Sequence, residues 1–200
     1  MSTVSPRLIR SITVLALAMA ALLVALPVAA HARYLVHEDA REDVVEIVAD
    51  LPAPDQANGD IASIRFRHTE TRVQVRVRFA DLQRAWIQET EVLLMTNEGV
   101  KRRVAVAFGS GSWAGTARLY ARTGVQLRCA IYRTVDYSEN VLTIGLPRTC
   151  LSRPRWVQFG ARHTTQPWPL NATAFRDDAL RDEGVGPYQY LKLSPRLYRG

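Results

Sequence analysis

Lysine is nearly missing from this sequence: of 26 basic side chains only Lys101 and Lys192 are lysines, and the other 24 are arginines. Arginine is then the default surface cation, and a basic balance alone does not mark a ligand. Cysteine is as scarce. Cys129 and Cys150 are the only two, which excludes a C-x-x-C redox pair and any zinc set built on several cysteines. Four histidines are present, without H-x-H or H-E-x-x-H spacing, so no zinc enzyme is expected. The loop Gly109-Ser110-Gly111-Ser112-Trp113-Ala114-Gly115 lacks a serine with glycine at both −2 and +2, and it lies between strands, so it is read as a hairpin loop and not a nucleophile elbow. Beyond the N-terminus, helical periodicity is scarce, and no internal repeat or low-complexity tract occurs.

What is present begins with the N-terminus. Arg7 and Arg10 precede an uncharged apolar run over residues 11–30, and Ala30-His31-Ala32 fits the small-x-small cleavage pattern. Residues 1–32 therefore read as a secretory signal peptide. The alternative is a retained anchor, because the run is near the length that spans a bilayer. Cleavage removes two arginines and no acids, taking the net charge from +7 to +5, and leaves no membrane span. The expected location is secreted, extracellular or associated with the cell envelope. In such an oxidising setting the two cysteines read as one structural disulfide, Cys129 to Cys150.

The body alternates with period two. Ile64, Phe66 and His68 alternate with arginines, as do Val73, Val75, Val77 and Phe79 in the stretch RVQVRVRF. Further runs follow at Val44, Leu93, Val104, Leu119, Val125, Val141 and Trp156, separated by turn signals such as Asn97-Glu98-Gly99 and Arg122-Thr123-Gly124. About nine short strands at this spacing imply an all-β fold, an antiparallel β-sandwich. Its expected parts are a strand and linker over 33–60, a sandwich body over 61–163 and an irregular C-terminal extension over 164–200 that packs on it. Residues 125–133 and 140–146 are expected to form a hairpin, with the disulfide stapling it to the connection after residue 150. Residues 61–68 and 72–79 are expected to pair with Phe66 opposite Val75 and Ile64 opposite Val77, which keeps the apolar side chains on one face. That register places Arg65 opposite Arg76 and leaves Arg65, Arg67, Arg76 and Arg78 on the outer face. These arginines are either solvated or paired with Glu89 or Glu91 on the following strand, or they grip a polyanion.

Two other groups of residues have chemistry to offer. Asp39, Asp43 and Asp60 precede strands, and Asp177-Asp178 lie in the C-terminal part. These acids read as strand-start and turn residues in solvent, and no cofactor is expected; the alternative is calcium, since hard cations take oxygen ligands from loops, although no EF-hand spacing links them. Paired carboxylates for a hydrolase would also have to come from this set. Trp113, in a Gly/Ser loop, and Trp168, between prolines, would stack on sugar rings if exposed, or pack at the edge of the core if covered.

The residues Asp39-Ala40-Arg41-Glu42-Asp43-Val44, then Gly59-Asp60-Ile61, then alternating strands, resemble the opening of DOMON-like sandwiches and family-9-type carbohydrate-binding modules. Pro154-Arg155-Trp156-Val157 and Ser194-Pro195-Arg196 are similar to secreted proteins of high-GC Gram-positive bacteria that have no assigned function. Glu42 stands where that pattern usually has glycine. A haem-binding DOMON domain would imply axial Met and His ligands, and Met95 is the only methionine after residue 32. The leader, the strand pattern and the lack of a catalytic constellation point to a sandwich that binds a ligand and does no chemistry. The expected function is an exported, non-catalytic module for an extracellular glycan, through Trp113 and Trp168. The alternatives are a binder of an anionic envelope polymer through the arginine face, and a hydrolase with an unrecognised carboxylate site. No nucleic-acid partner is expected, and no oligomeric state follows from the sequence.

Overall fold

Period-two alternation needs two apolar sheet faces to bury against each other, and the chain supplies them. The computed structural model describes residues 34–167, 173–182 and 191–200; the expected signal segment, 1–32, and Trp168 lie outside these. One antiparallel sheet runs β1 (Tyr34–Glu38), β3 (Ile61–His68), β4 (Arg72–Phe79), β10 (Val141–Pro147), β9 (Tyr132–Asp136). The other runs β2 (Val45–Glu46), β12 (Phe175–Asp178), β11 (Trp156–Gln166), β5 (Ile87–Thr96), β6 (Lys101–Gly109), β7 (Ser112–Ala121), β8 (Gln126–Leu127), with β13 (Leu197–Tyr198) also pairing to β11. The described residues fall in one compact unit, His31–Gly200. Among them no helix is long and apolar enough to cross a membrane.

The first hairpin has the register its side chains require. Phe66 faces Val75, Ile64 faces Val77, Arg65 faces Arg76 and Arg67 faces Gln74. A one-residue slip would turn Phe66, Val73, Val75 and Val77, all buried, out to water. The two sheets meet through rings: Phe66 of β3 stacks on Phe159 of β11, with centroids 4.5 Å apart. The β5–β6 turn is Asn97-Glu98-Gly99, and Gly99 takes the left-handed conformation at φ +70° that the sequence reserves for it. Residues 175–178 and 197–198, near the C-terminus, add strands to β11. Between them the segment at residues 191–193 crosses Gly160 so closely that a Cβ there would stand 2.6 Å from the Lys192 carbonyl oxygen. Glycine is what lets that segment cover β11.

The disulfide Cys129–Cys150 is present, but its surroundings differ from the expected hairpin. Only β9 and β10 pair there. Residues 126–127 pair instead with β7 in the other sheet, so the chain crosses from one sheet to the other between 128 and 131. Leu127, Cys129 and Ile131 alternate because they pack on the core's edge during that crossing. Cys150 sits in a 3-10 turn, Arg148–Leu151, directly after β10. The buried Arg148 guanidinium anchors this turn by donating to the carbonyls of Glu70 (2.8 Å), Arg153 (3.1 Å) and Pro154 (2.5 Å). Closing a loop of this length stabilises the fold by about 3 kcal/mol.

Among the buried polar residues, a histidine titrates far from its ordinary range. His163 of β11 is 1% exposed, its ring edge-on to Phe79 at 4.7 Å, and its Nδ1 is 2.8 Å from the Thr90 hydroxyl. Burial pushes the imidazole down to about 3. A histidine kept neutral in the fold contributes stability above its unfolded value near 6.5, and loses it as pH falls below that, because the unfolded chain takes up the proton first. Gln at 163 removes this titration. The advantage of the wild type over His163→Gln is therefore expected to shrink by about 2 kcal/mol between pH 7 and pH 5 in urea unfolding; a constant difference would show that His163 does not titrate as described.

Candidate anion-binding face and carboxylate cluster

The outer face of the five-stranded sheet is read off its ladders. One row across it is Val36, Arg65, Arg76, Thr143, Thr134. On one side of that row lie Tyr34, Arg67, Gln74, Gly145 and Tyr132, and on the other Glu38, Ser63, Arg78, Val141 and Asp136. Arg65, Arg67, Arg76 and Arg78 thus share one exposed face. Like charges directly opposite, as at Arg65 and Arg76, cost roughly 0.2–1 kcal/mol. Glu89 and Glu91 do not offset that cost. The connection after β4 crosses to the other sheet, so β5 lies beside β11 and β6, and the strand next to β4 is β10. Glu91 is buried with Arg162 and Arg103, and Glu89 stands 4.0 Å from Arg103.

Among the described residues, none of Arg41, Arg65, Arg67, Arg76 and Arg78 has a carboxylate within ion-pair distance, 4.0 Å. Arg65 does lie over the Tyr34 ring, 6.0 Å from its centroid. Arg41, Arg65, Arg76 and Arg78, with Val36, Glu38, Ala62 and Ser63, line an open groove of about 510 Å³. It has four guanidinium groups and one carboxylate. Guanidinium forks match the geometry of phosphate and carboxylate oxygens.

Trp113 is placed elsewhere. It begins β7 in the eight-stranded sheet, half-buried, edge-on to Tyr137 at 6.5 Å and capped by the Arg84 guanidinium 5.3 Å from its ring. The Tyr137 hydroxyl donates to its carbonyl at 3.4 Å. These contacts make it edge packing, with one ring face already taken by a cation.

The three acids from the start of the chain are brought together with two more from β12. Asp39 and Asp43 flank the bend after β1, Asp60 directly precedes β3, and Asp177 and Asp178 end β12. The Asp60 Oδ2 accepts from the Glu42 amide at 3.1 Å, and the Asp177 Oδ2 accepts from the Ile61 amide at 2.5 Å. One carboxylate oxygen from each of Asp43, Asp60 and Asp177 lies within 4.8 Å of the other two. Both oxygens of Asp39 and of Asp43, and the Asp60 Oδ1, are sealed from solvent with no hydrogen-bond donor. His37 Nε2 stands 3.7 Å from Asp39, beyond hydrogen-bond reach. Burial first, then the charges of Asp177 and Asp43, push the Asp39 carboxyl up to about 9. Burial raises Asp43 to about 6, and raises Asp60 and Asp178 and, most strongly, Asp177. The sequence names Asp39, Asp43 and Asp60 as possible ligands. Asp177 joins them only through the pairing of β12 with β11, which no local spacing announces.

In comparisons with known proteins, no family model, no curated protein and no solved structure matches this chain. The likeness to DOMON-like sandwiches rests on the short motifs quoted above.

Proposed function

We propose that this protein is an exported β-sandwich that binds an anionic envelope polymer through the outer face of its five-stranded sheet. One observation carries the reading: Arg41, Arg65, Arg76 and Arg78 converge on one groove, and among the described residues no carboxylate lies within 4.0 Å of any of them. Exposed arginines opposite one another weaken a sheet, so their juxtaposition favours a ligand that neutralises them. A repeating phosphate or carboxylate polymer supplies charge at intervals along an open groove, which suits an elongated ligand better than a compact one. The A-x-A leader supports export, and a surface of this sign would concentrate envelope anions. The neutral-glycan reading through Trp113 has less behind it, since that ring is already covered by Arg84 and Tyr137.

The test uses inorganic polyphosphate and polygalacturonate as probes, with neutral dextran as the control. Fluorescence anisotropy is expected to show binding to an anionic probe that weakens at least tenfold from low to moderate salt, about 50 to 300 mM. Arg65→Gln with Arg76→Gln is expected to weaken it at least tenfold at low salt while stability stays level or rises by a few tenths of a kcal/mol. Salt-independent binding, no binding, or full binding by the double variant would each count against the proposal.

A further inference from the structure

We propose that Asp43, Asp60 and Asp177, with Asp39 beside them, form a calcium site that ties the N-terminal segment to β12. The donors are all carboxylate oxygens and come from three separated stretches of chain. Two oxygens that both touch one calcium ion at about 2.4 Å can stand no more than about 4.8 Å apart, and the three ligand atoms of Asp43, Asp60 and Asp177 meet that limit, all lying within 4.8 Å of one another.

A second observation is independent of this spacing. Asp39 and Asp60 are 8% and 3% exposed. Both oxygens of the first and one of the second have no donor at all. Buried carboxylates are ordinarily hydrogen-bonded or paired, because a bare charge inside a protein is costly. Arg181 donates to Asp178 at 3.0 Å and the Arg41 charge acts on Asp60, yet neither guanidinium hydrogen-bonds to the Asp39 oxygens or to Asp60 Oδ1. The Glu42 amide satisfies Asp60 Oδ2 and the Ile61 amide satisfies Asp177 Oδ2, while Asp60 Oδ1 is left without a donor. A divalent cation satisfies several of these oxygens at once.

The chemistry of the donors selects the metal. Zinc favours nitrogen and sulfur in a tetrahedron. Magnesium holds several waters in a strict octahedron, which a sealed, carboxylate-rich pocket accommodates poorly. Calcium accepts six to eight oxygens in irregular geometry. His37, Asp39 and Asp182 form a second, more exposed grouping that shares Asp39. It contains a nitrogen donor, His37 Nε2, and makes zinc the rival to be tested.

The purified protein, stripped with EDTA, is titrated with calcium, magnesium and zinc chlorides in separate calorimetric runs, and melted with and without each ion. Calcium is expected to bind at one ion per chain, with Kd of about 10⁻⁴ M or tighter. At a hundredfold excess over Kd it should raise Tm by about 5–10 °C. Asp43→Asn is expected to weaken calcium at least tenfold and to abolish most of the Tm rise. Its metal-free melting point should be no lower than that of the wild type, since the change removes a repelling charge. Asp55→Asn, an exposed acid outside the cluster, should bind calcium like the wild type. The proposal is overturned if calcium gives neither heat nor a Tm change, if zinc binds and calcium does not, or if Asp43→Asn keeps the full response. None of these readouts involves the arginine groove, so the two proposals stand or fall separately.

Discussion

Phe66→Ala is expected to cost about 3–5 kcal/mol, a large share of the stability of a domain this size. Phe66 is fully buried, and its ring stacks on Phe159 across the two sheets. Truncation to alanine removes the ring's transfer free energy, and it also empties a space at the centre of the sandwich that β3 and β11 are too well hydrogen-bonded to close. Phe159 would lose its stacking partner in the same step, a contact worth about 0.5–1.5 kcal/mol beyond area. Urea unfolding should show a lower midpoint with an unchanged slope. Val48→Ala is the control. That side chain is 86% exposed, so its loss should stay within about 0.5 kcal/mol. A Phe66→Ala loss under 1 kcal/mol would mean that the sheets repack freely around the gap, contrary to the interlocked rings described here.

The second large effect lies on the opposite side of β5. Glu91 lies outside the apolar alternation of β5 yet is 4% exposed, with Arg162 and Arg103 on its carboxylate. Its carboxylate accepts from Arg162 Nε at 2.6 Å and Nη2, and from Arg103 Nη1. The Arg162 side chain is 7% exposed and that of Arg103 39%. Glu91→Leu therefore strips the buried guanidinium of its carboxylate, at a cost of about 3–5 kcal/mol. Arg103 can turn to water, so its share of the loss is small. The double variant Glu91→Leu with Arg162→Met is expected to recover much of the loss, since apolar residues of similar volume often replace a buried pair without penalty. A double-mutant cycle separates the pair's coupling from the desolvation left behind. If the double variant were no better than Glu91→Leu alone, the cost would belong to Glu91's packing and not to the stranded charge.

Some of this molecule is written locally. Val73, Val75, Val77 and Phe79 alternate with polar residues, and alternation has one physical reading when one face must be dry. From it follows the strand, and, since the short 69–71 connection makes β3 its hairpin partner, the register that sets Arg65 opposite Arg76. Gly99 in its turn is legible for the same kind of reason, since a left-handed residue after Asn-Glu asks for glycine. The two cysteines are legible as a bond because an even pair in a chain whose first residues read as a leader has few other uses.

The rest depends on which strand lies beside which, and alternation carries no information about that. Glu89 and Glu91 follow the arginines in sequence and look like their partners. The chain crosses to the other sheet after β4, so β10 takes the adjacent place and, among the described residues, the arginines have no carboxylate within 4.0 Å. Residues 125–131 alternate like a strand, but the alternation records a crossing packed on the core's edge. Asp177 stands 117 positions after Asp60 in the chain, and only the antiparallel docking of β12 on β11 brings its carboxylate into the company of Asp43 and Asp60. Side-chain period is a local property of the backbone and can be read in any window of residues. Strand order is settled by the whole apolar surface finding its lowest exposure, and both candidate sites are products of that order.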